Sequence, residues 1–351
     1  MRRPSKEVKI GEIKIGGDSP IAVQSMLNIP SHEIEKNIEQ AKELKDAGCD
    51  IIRVAIPTMD SVKLIHKIKE KVDIPVVADI HFNYKLAVES AAAGADKIRI
   101  NPGNIGDEYK IKIVADACRT KGIPIRIGVN SGSLESHILE KYNKPTAEAM
   151  CESALFNASK LEKYDFNDIV LSLKSSTVKD TVEAYRIVQS RCDYPLHTGI
   201  TESGTETMGI VRSSIGIGAL LMDGIGDTIR VSLTDEPVKE VKAGINILKA
   251  LNLYKNGITF ISCPTCGRTK IDLISIAKEA ERLLENHPSN LKIAIMGCAV
   301  NGPGEAKDAD IGITGADGIG IIFKKGEIIR KVKEKDLVKE LVKEVHLMTS
   351  N

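Results

Sequence analysis

Two stretches, KIRIN at residues 97–101 and IPIRIGVN at residues 123–130, decide the fold. Both are too short and too rich in isoleucine to be surface helices, and each ends on asparagine. The two-residue repeat of an extended chain puts Lys97, Arg99 and Asn101 on one face and Ile98 and Ile100 on the other. In the second stretch it groups Arg126, Gly128 and Asn130. A strand with cations on one side and isoleucine on the other suits a wall whose outer face is covered by helices and whose inner face lines a polar lumen. Six further runs have the same character: IAVQSML (21–27), DIIRVA (50–55), IPVVADI (74–80), DIVLSL (168–173), YPLHTGI (194–200) and DTIRVSL (227–233). Between the runs lie amphipathic segments such as HEIEKNIEQAKELKDAG and EYKIKIVADACRTKG, closed by the glycine that ends a helix. Eight such units predict an α/β protein whose N-terminal part, residues 1–255, is a (β/α)8 TIM barrel. A doubly wound sheet would carry a glycine fingerprint directly after a strand. Gly216 and Gly218 in IGIGALL lack both the third glycine and the strand, and suit helix packing better.

The pattern changes beyond residue 255. GITFIS and LKIAIMG read as strands that end directly on cysteine, and KIDLISIAKEAERLLEN reads as a helix between them. Glycine-punctuated strands and a closing helix, KDLVKELVKEVHLM, complete a small α+β domain over residues 256–351. The bulk numbers exclude several classes. With 351 residues, 42% hydrophobic and 28% charged, a large core is expected. The net charge of +1, the absence of tryptophan and an aromatic content of 3% argue against nucleic acid as a partner. No apolar run is long enough to span a membrane, and MRRPSKEVKIG has no apolar core for a secretory signal, so a cytoplasmic location is expected. Seven cysteines scattered along such a chain suit free thiols or metal ligands better than disulfides.

The inward parity of the barrel runs gathers Asp79 with His81, Ser172 with Lys174, His197 with Thr201, and Arg230 with Ser232. Arg53 falls near the end of its own strand. All of these are expected at the C-terminal mouth, where barrel enzymes work. Arg53, Arg99, Arg126, Lys174 and Arg230 are five cations, against Asp79 and Glu202 as the visible acids. Unpaired like charges in a low-dielectric mouth are costly, so a multiply charged anion is expected to complete the site. The guanidinium fork suits phosphate oxygens, which makes a phosphorylated small molecule, most simply a diphosphate, the expected ligand. Asp79, His81, Asn101, Asn130 and Glu202 then bond hydroxyls or move protons.

Cys263, Cys266 and Cys298 fall at strand ends in ISCPTCGRTK and IMGCAVNGPGEA. A lone C-x2-C leaves zinc, a redox pair and an iron–sulfur ligand set open. A redox pair leaves Cys298 unexplained. Structural zinc wants a fourth sulfur or nitrogen, and His287, the one histidine between the motif and Cys298, stands before PSN at a helix end. Three thiolates suit a cluster with one iron left for a weaker ligand, and Glu305, after a Gly-Pro-Gly turn, is the natural candidate. Cys49, Cys118, Cys151 and Cys192 read as core or half-buried thiols. A barrel lyase with structural zinc and a non-catalytic cluster carrier remain the rival classes.

ISCPTCGRT followed by MGCAVNGPGEA resembles the cluster domain of the 4-hydroxy-3-methylbut-2-en-1-yl diphosphate synthase family. VQSM, ADIHF, KIRINPGN, RIGVNSGS, LSLKSS and LHTGITESG resemble its barrel motifs in order, so the similarity spans the chain in the two-domain bacterial form. The resemblance implies reductive ring opening of 2-C-methyl-D-erythritol 2,4-cyclodiphosphate to 4-hydroxy-3-methylbut-2-enyl diphosphate, in the non-mevalonate route to isoprenoids. It implies a [4Fe–4S] cluster on Cys263, Cys266, Cys298 and Glu305, and a diphosphate held by Arg53, Arg99, Arg126 and Lys174. Asn101, Asn130, Asp79, His81 and Glu202 would surround the carbon skeleton, with Glu202 the candidate proton donor. Ser172, His197, Arg230 and Ser232 join the substrate-binding set by their inward parity. Flavodoxin or ferredoxin as electron donor and a homodimer are further implications.

Overall fold

The computed structural model describes residues 2–254, 257–285, 287–298, 306–316 and 318–349. They fall into two compact units, Met1–Leu253 and Tyr254–Asn351. The first unit opens with an antiparallel hairpin, β1 (Val8–Ile10) and β2 (Ile13–Ile15). Eight parallel strands follow: β3 (Ala22–Met26), β4 (Ile51–Ala55), β5 (Val76–Asp79), β6 (Lys97–Ile100), β7 (Ile125–Asn130), β8 (Ile169–Lys174), β9 (His197–Thr198) and β10 (Thr228–Ile229). Each of the eight predicted runs supplies one of them. Their order is β8-β7-β6-β5-β4-β3-β10-β9, and a bridge from Leu171 to Leu196 brings β8 back to the start of β9. Leu171 N–H donates to the Pro195 carbonyl at 2.9 Å, which closes the TIM barrel. The last two strands are short, and Pro195, with no N–H of its own, cannot extend the ladder.

Helices alternate with the strands, and their ends follow the local chemistry. The helix Glu108–Lys121 begins where the Asp107 side chain accepts from the Lys110 N–H. It ends at Gly122 with φ 63°, a conformation only glycine adopts without strain.

Parallel register sorts the lumen into layers. Ala22, Ile51, Val77 and Val170 lie at the N-terminal ends of β3, β4, β5 and β8, and they pack against Val8, Ile10 and Ile15 of the hairpin. Two residues further along the same inward rows stand Gln24, Arg53, Asp79 and Ser172. The hairpin therefore seals one end with hydrocarbon and leaves polar groups at the other. Two arginines pin the segment before it. Arg2 pairs with Asp227 at 2.6 Å, and the Arg3 guanidinium donates to the carbonyls of Gln189, Tyr194 and Cys192.

The second unit is a five-stranded sheet of β11 (Thr259–Ser262), β12 (Lys292–Ile295), β13 (Ile311–Ala316), β14 (Ile319–Lys324) and β15 (Glu327–Lys333), in that order. The first three strands are parallel and the last three antiparallel. Helices Leu273–Leu284 and Leu337–Thr349 cover one face over Ile293, Ile295, Ile313 and Ile322. On the other face Phe323 lies over Gly312, where a Cβ would stand 2.3 Å from the ring.

Ile10 is fully buried in the plug. Ile10→Ala is expected to cost about 2–5 kcal/mol, read as a lower urea midpoint for the barrel transition. A loss below about 1 kcal/mol, the range of a mere Ile→Val change, would show that the hairpin is not a structural seal.

Candidate active site

The C-terminal ends of the barrel strands surround a cavity of about 270 Å³. Arg53, Asp79, His81, Arg99, Arg126, Asn130, Ser172, Lys174, Arg230 and Ser232 line it, together with Met26, Gly128 and Thr201. Register explains the gathering: Arg99 stands beside Asp79 on one side and Arg126 on the other, Gly128 beside Ser172, and Asn130 beside Lys174. A larger hollow of about 640 Å³ lies along helices Glu206–Met222 and Pro237–Ala250, but its walls, among them Ile210, Ile215, Ala219 and Met222, are mostly apolar and bring no reactive groups together.

Asp79 is the electrostatic centre of the cavity. Its carboxylate lies 3.2 Å from Arg99 Nη1, 3.8 Å from Arg53 Nε and 3.5 Å from His81 Nε2. Burial alone would raise its pKa, but Arg53, the bond from His81 and Arg99 together hold it well below the usual carboxylate range. Gly128 makes room for this geometry, since a Cβ there would come within 2.6 Å of Arg99 Nε. Arg53 also donates to Met26 Sδ at 3.1 Å from Nε.

The second buried acid is Glu240, 3.5 Å from Arg230 and accepting from Ser25 Oγ and the Leu233 N–H, each at 2.9 Å. It comes from a helix outside the barrel wall and was not among the expected residues. Its signal lay in the spacing: Pro237, Glu240, Val241 and Gly244 form the buried stripe of helix Pro237–Ala250, so the acid had to face inward. Gln24, also unanticipated, accepts from Arg126 Nη1 at 3.4 Å.

The balance of charge remains strongly positive. Arg53, Arg99, Arg126, Lys174 and Arg230, with Lys97 beneath them, face Asp79 and Glu240. Among the described residues no acid or hydrogen-bond acceptor reaches Lys174. Burial lowers the pKa of Lys174 and of Arg126, and the neighbouring cations lower both further. Arginine does not give up its proton in a protein, so the uncompensated charge is expressed as affinity for an anion.

Three expected barrel residues stand apart from the cavity lining. His197 is buried below it, with Nδ1 2.7 Å from Thr228 Oγ1 and its carbonyl taken by the Tyr185 hydroxyl. Burial, then Arg126 and Lys174, keeps this imidazole neutral. Asn101 is buried and caps the short helix Pro102–Ile105, accepting from the Gly103 N–H at 3.1 Å, while its amide reaches Ser133 Oγ at 3.4 Å. Glu202 is exposed with φ 53°, beside Thr201, which does line the cavity.

In the second unit the three cysteines follow neighbouring parallel strands. Ser262 faces Ile295 in the β11–β12 ladder, so Cys263 emerges beside Met296. The Gly297 N–H donates to Cys263 Sγ at 3.1 Å, and the Lys270 N–H to the Gly297 carbonyl at 2.9 Å. Thr269 holds the C-x2-C turn by accepting from the Cys266 N–H at 3.1 Å. Cys266 is exposed, and hydrogen bonds from the Arg268 backbone and guanidinium lower its thiol pKa. Cys263 and Cys298 are half-buried. Among the described residues no three His, Cys, Asp or Glu side chains are drawn close enough to bind a metal ion as they stand. Glu305 lies outside the described residues. Cys49, Cys118 and Cys151 are buried, and burial pushes the first two thiols up to about 12.

A family model described as the GcpE TIM-barrel domain matches residues 5–245, and one described as the GcpE protein C-terminal domain matches residues 259–347. The chain belongs to the GcpE family. A relative from Caldanaerobacter subterraneus subsp. tengcongensis, named 4-hydroxy-3-methylbut-2-en-1-yl diphosphate synthase (flavodoxin), is 58% identical over 348 residues, 99% of this chain and 98% of the relative. One of the same name from Clostridium tetani is 56% identical over 344 residues, 98% and 99% of the two chains. Among solved structures, dihydropteroate synthase from Stenotrophomonas maltophilia aligns over 71% of this chain and 97% of its own, with TM-score 0.52 at 13% identity. That last likeness concerns the fold alone. The GcpE-family barrel thus brings ten of its thirteen expected residues to one cavity.

Removing the Asp79 charge strips Arg53 and Arg99 of their shared counter-ion. In phosphate-free chloride buffer, Asp79→Asn is expected to lower stability by about 3–5 kcal/mol at pH 7, the cost of breaking a buried pair. Because the folded carboxyl sits below its unfolded value of about 3.9, the contribution is complete above that pH. It is lost as the pH falls through the folded value. Urea titrations of both proteins check this, and the gap between them should narrow only in acid.

Proposed function

We propose that this chain catalyses the reductive ring opening and dehydration of 2-C-methyl-D-erythritol 2,4-cyclodiphosphate to 4-hydroxy-3-methylbut-2-enyl diphosphate. The observation that carries the proposal is the cavity at the barrel mouth, where cations outnumber buried acids and the far end is sealed. A small, doubly negative ring would offset most of that excess without a larger opening. The names of the relatives support it, since each is a synthase of this diphosphate.

Arg53, Arg99, Arg126, Lys174 and Arg230 bind the two phosphates and stabilise the charge that grows there as the ring opens. Asp79 fixes the aim of Arg99 and Arg53 and holds His81 beside the cavity. Asn130, Ser172 and Ser232 bond the hydroxyls of the carbon skeleton. The His81 side chain is largely exposed, and it and Glu202 are the groups able to carry protons in from solvent. Asn101 and His197 act from behind, one by shaping the loop after β6 and the other from the floor.

The second unit is proposed to hold a [4Fe–4S] cluster through Cys263, Cys266 and Cys298, with Glu305 as the fourth ligand. Its donor set fits: three thiols follow adjacent strand ends, an N–H already points at Cys263 Sγ, and Arg268 favours the Cys266 thiolate. Such a cluster would supply electrons one at a time, which suits the two-electron cleavage of a carbon–oxygen bond. A flavodoxin is the proposed donor, as in the relatives' names, with ferredoxin the alternative. The working form is proposed to be a cytoplasmic homodimer. No helix among the described residues is long and apolar enough to cross a membrane.

Anaerobically reconstituted protein with a chemical reductant should convert the cyclodiphosphate to the linear product. One equivalent of zinc without sulfide, or no product, would decide for a barrel lyase instead. Cys298→Ser should lose iron and sulfide while the barrel keeps its urea transition, since the two lie in separate units. Arg126→Ala should raise KM about 10–100-fold, the loss of a charged hydrogen bond worth about 1.5–3 kcal/mol, with iron content unchanged. Wild-type KM and rate in that variant would reject its role.

A further inference from the structure

Beneath the cavity lies a buried amine that the proposed reaction does not use. Lys97 is fully buried, and among the described residues no partner reaches its Nζ. Three neighbouring side chains share the condition: Arg126 Nε, Gln24 Nε2 and His197 Nε2 are buried and unpartnered. All three are on side chains that already use their other end, Arg126 and Gln24 on each other and His197 on Thr228. Lys97 has no such second contact. Its strand position explains the isolation, because it stands opposite Val77, in the apolar layer that meets the hairpin plug.

The groups that face Lys97 from the rest of the barrel are almost all cationic. They are Arg126 from β7 and Arg53 from β4, with neutral His197 from β9. The one acid on the facing strands, Asp79 of β5, is already shared by Arg99, Arg53 and His81. Glu240 is likewise engaged by Arg230, Ser25 and the Leu233 N–H. An ammonium at this position would have neither counter-charge nor acceptor nor water-facing end, which is the costliest state a lysine can take. Unlike an arginine, a lysine escapes by releasing its proton.

We propose that Lys97 is uncharged in the free barrel and takes up a proton when a diphosphate occupies the cations above it, so that substrate binding is coupled to proton uptake. Lys97 is then a positioning residue: it touches no substrate, and acts through the charge it adds beneath Arg126. Burial, followed by Arg126 and Arg53, lowers its pKa, in agreement with the geometry. Two negative charges entering above offset most of the positive charge that keeps Lys97 unprotonated. The proton comes from bulk buffer through the open mouth and converts the amine to ammonium, with no other bond made or broken. The free site thereby avoids one buried charge, and the occupied site gains it. The proposal rests on the functional reading only for the identity of the anion.

Calorimetry of the unreduced holoenzyme tests this, because unreduced protein binds without turnover. Each phosphorus of the cyclodiphosphate carries one strongly acidic proton, so the ligand itself does not titrate near neutrality. The slope of binding enthalpy against buffer ionisation enthalpy at pH 8 counts the protons. Wild type should take up as much as one, and its Kd should weaken by about tenfold per pH unit above neutrality. Lys97→Met, which keeps the length and removes the titration, should lose that uptake and flatten the pH profile, while melting no lower than wild type. Equal uptake in the two proteins overturns the proposal. So does a wild-type Kd that does not change between pH 7 and pH 9, even if the variant fails to fold. Trimetaphosphate, another cyclic anion with no proton to lose, separates the two readings. If it binds with Lys97-dependent uptake while the cyclodiphosphate does not bind, the proton coupling stands and the substrate assignment falls. If neither anion binds, both fall.

Discussion

Arg53 and Arg99 come from different strands, yet both lean on the single carboxylate of Asp79, and the mouth of the barrel is arranged around that shared contact. Two guanidinium groups around one acid leave a surplus of charge by construction. The surplus cannot dissipate downward, because the lumen below is closed by valine and isoleucine from the hairpin. It cannot spread sideways, because the outer faces of the strands are packed against helices. It is therefore presented at the one open end, where a small anion can reach it. Burial makes this strong: the same charges on a wet surface would be screened within about 8–10 Å.

The geometry that concentrates charge is a product of parallel pairing. Strands in register place inward side chains at equal heights, so Arg99 falls between Asp79 and Arg126 without any loop having to hold it. Gly128 belongs to the same logic, since a side chain there would occupy the space through which the Arg99 guanidinium runs. In the second unit parallel pairing again does the placing. Cys263 and Cys298 follow adjacent strands, and the C-x2-C turn is held in place by Thr269 and by the Lys270 bond to Gly297. The two halves of the chain share one device: side chains gathered toward the C-terminal ends of parallel strands.

Much of this was readable from period alone. Alternation in KIRIN and IPIRIGVN announces strands with a polar inner face, and eight similar runs announce a closed barrel. What escaped is informative. Glu240 arrives from a helix, and a reading confined to strand parity does not look there. Asn101 shares the inward parity of Arg99, but it directly precedes a proline at a helix start, so its side chain is spent on the cap. Glu202 shares no parity with the lining, because its positive φ turns the chain at that point. The hairpin plug was invisible because VKI and IKI are too short to stand out until the barrel floor gives them something to cover. The similarity of the cysteine motifs to a known family supplied the substrate and the cluster. Composition and spacing alone stopped at a phosphorylated small molecule and left zinc and iron–sulfur open.

The opening segment of the chain has a bearing on how the molecule is made. Arg2 ends on Asp227, 225 positions away, Arg3 ends on carbonyls from 189 onward, and the hairpin needs Val170 to complete its cover. Apart from the Arg2 bond to the Ser19 carbonyl, this segment therefore gains these partners only once the chain has been made through residues 189–227. Until Val170 is made, Val8, Ile10 and Ile15 have only Ala22, Ile51 and Val77 of this cluster to lie against, and their cover is incomplete. Contacts of such sequence separation form slowly, because a long loop must close before they are rewarded. Full seating of this segment would then be a late event in maturation, and a step exposed to chaperone capture or aggregation.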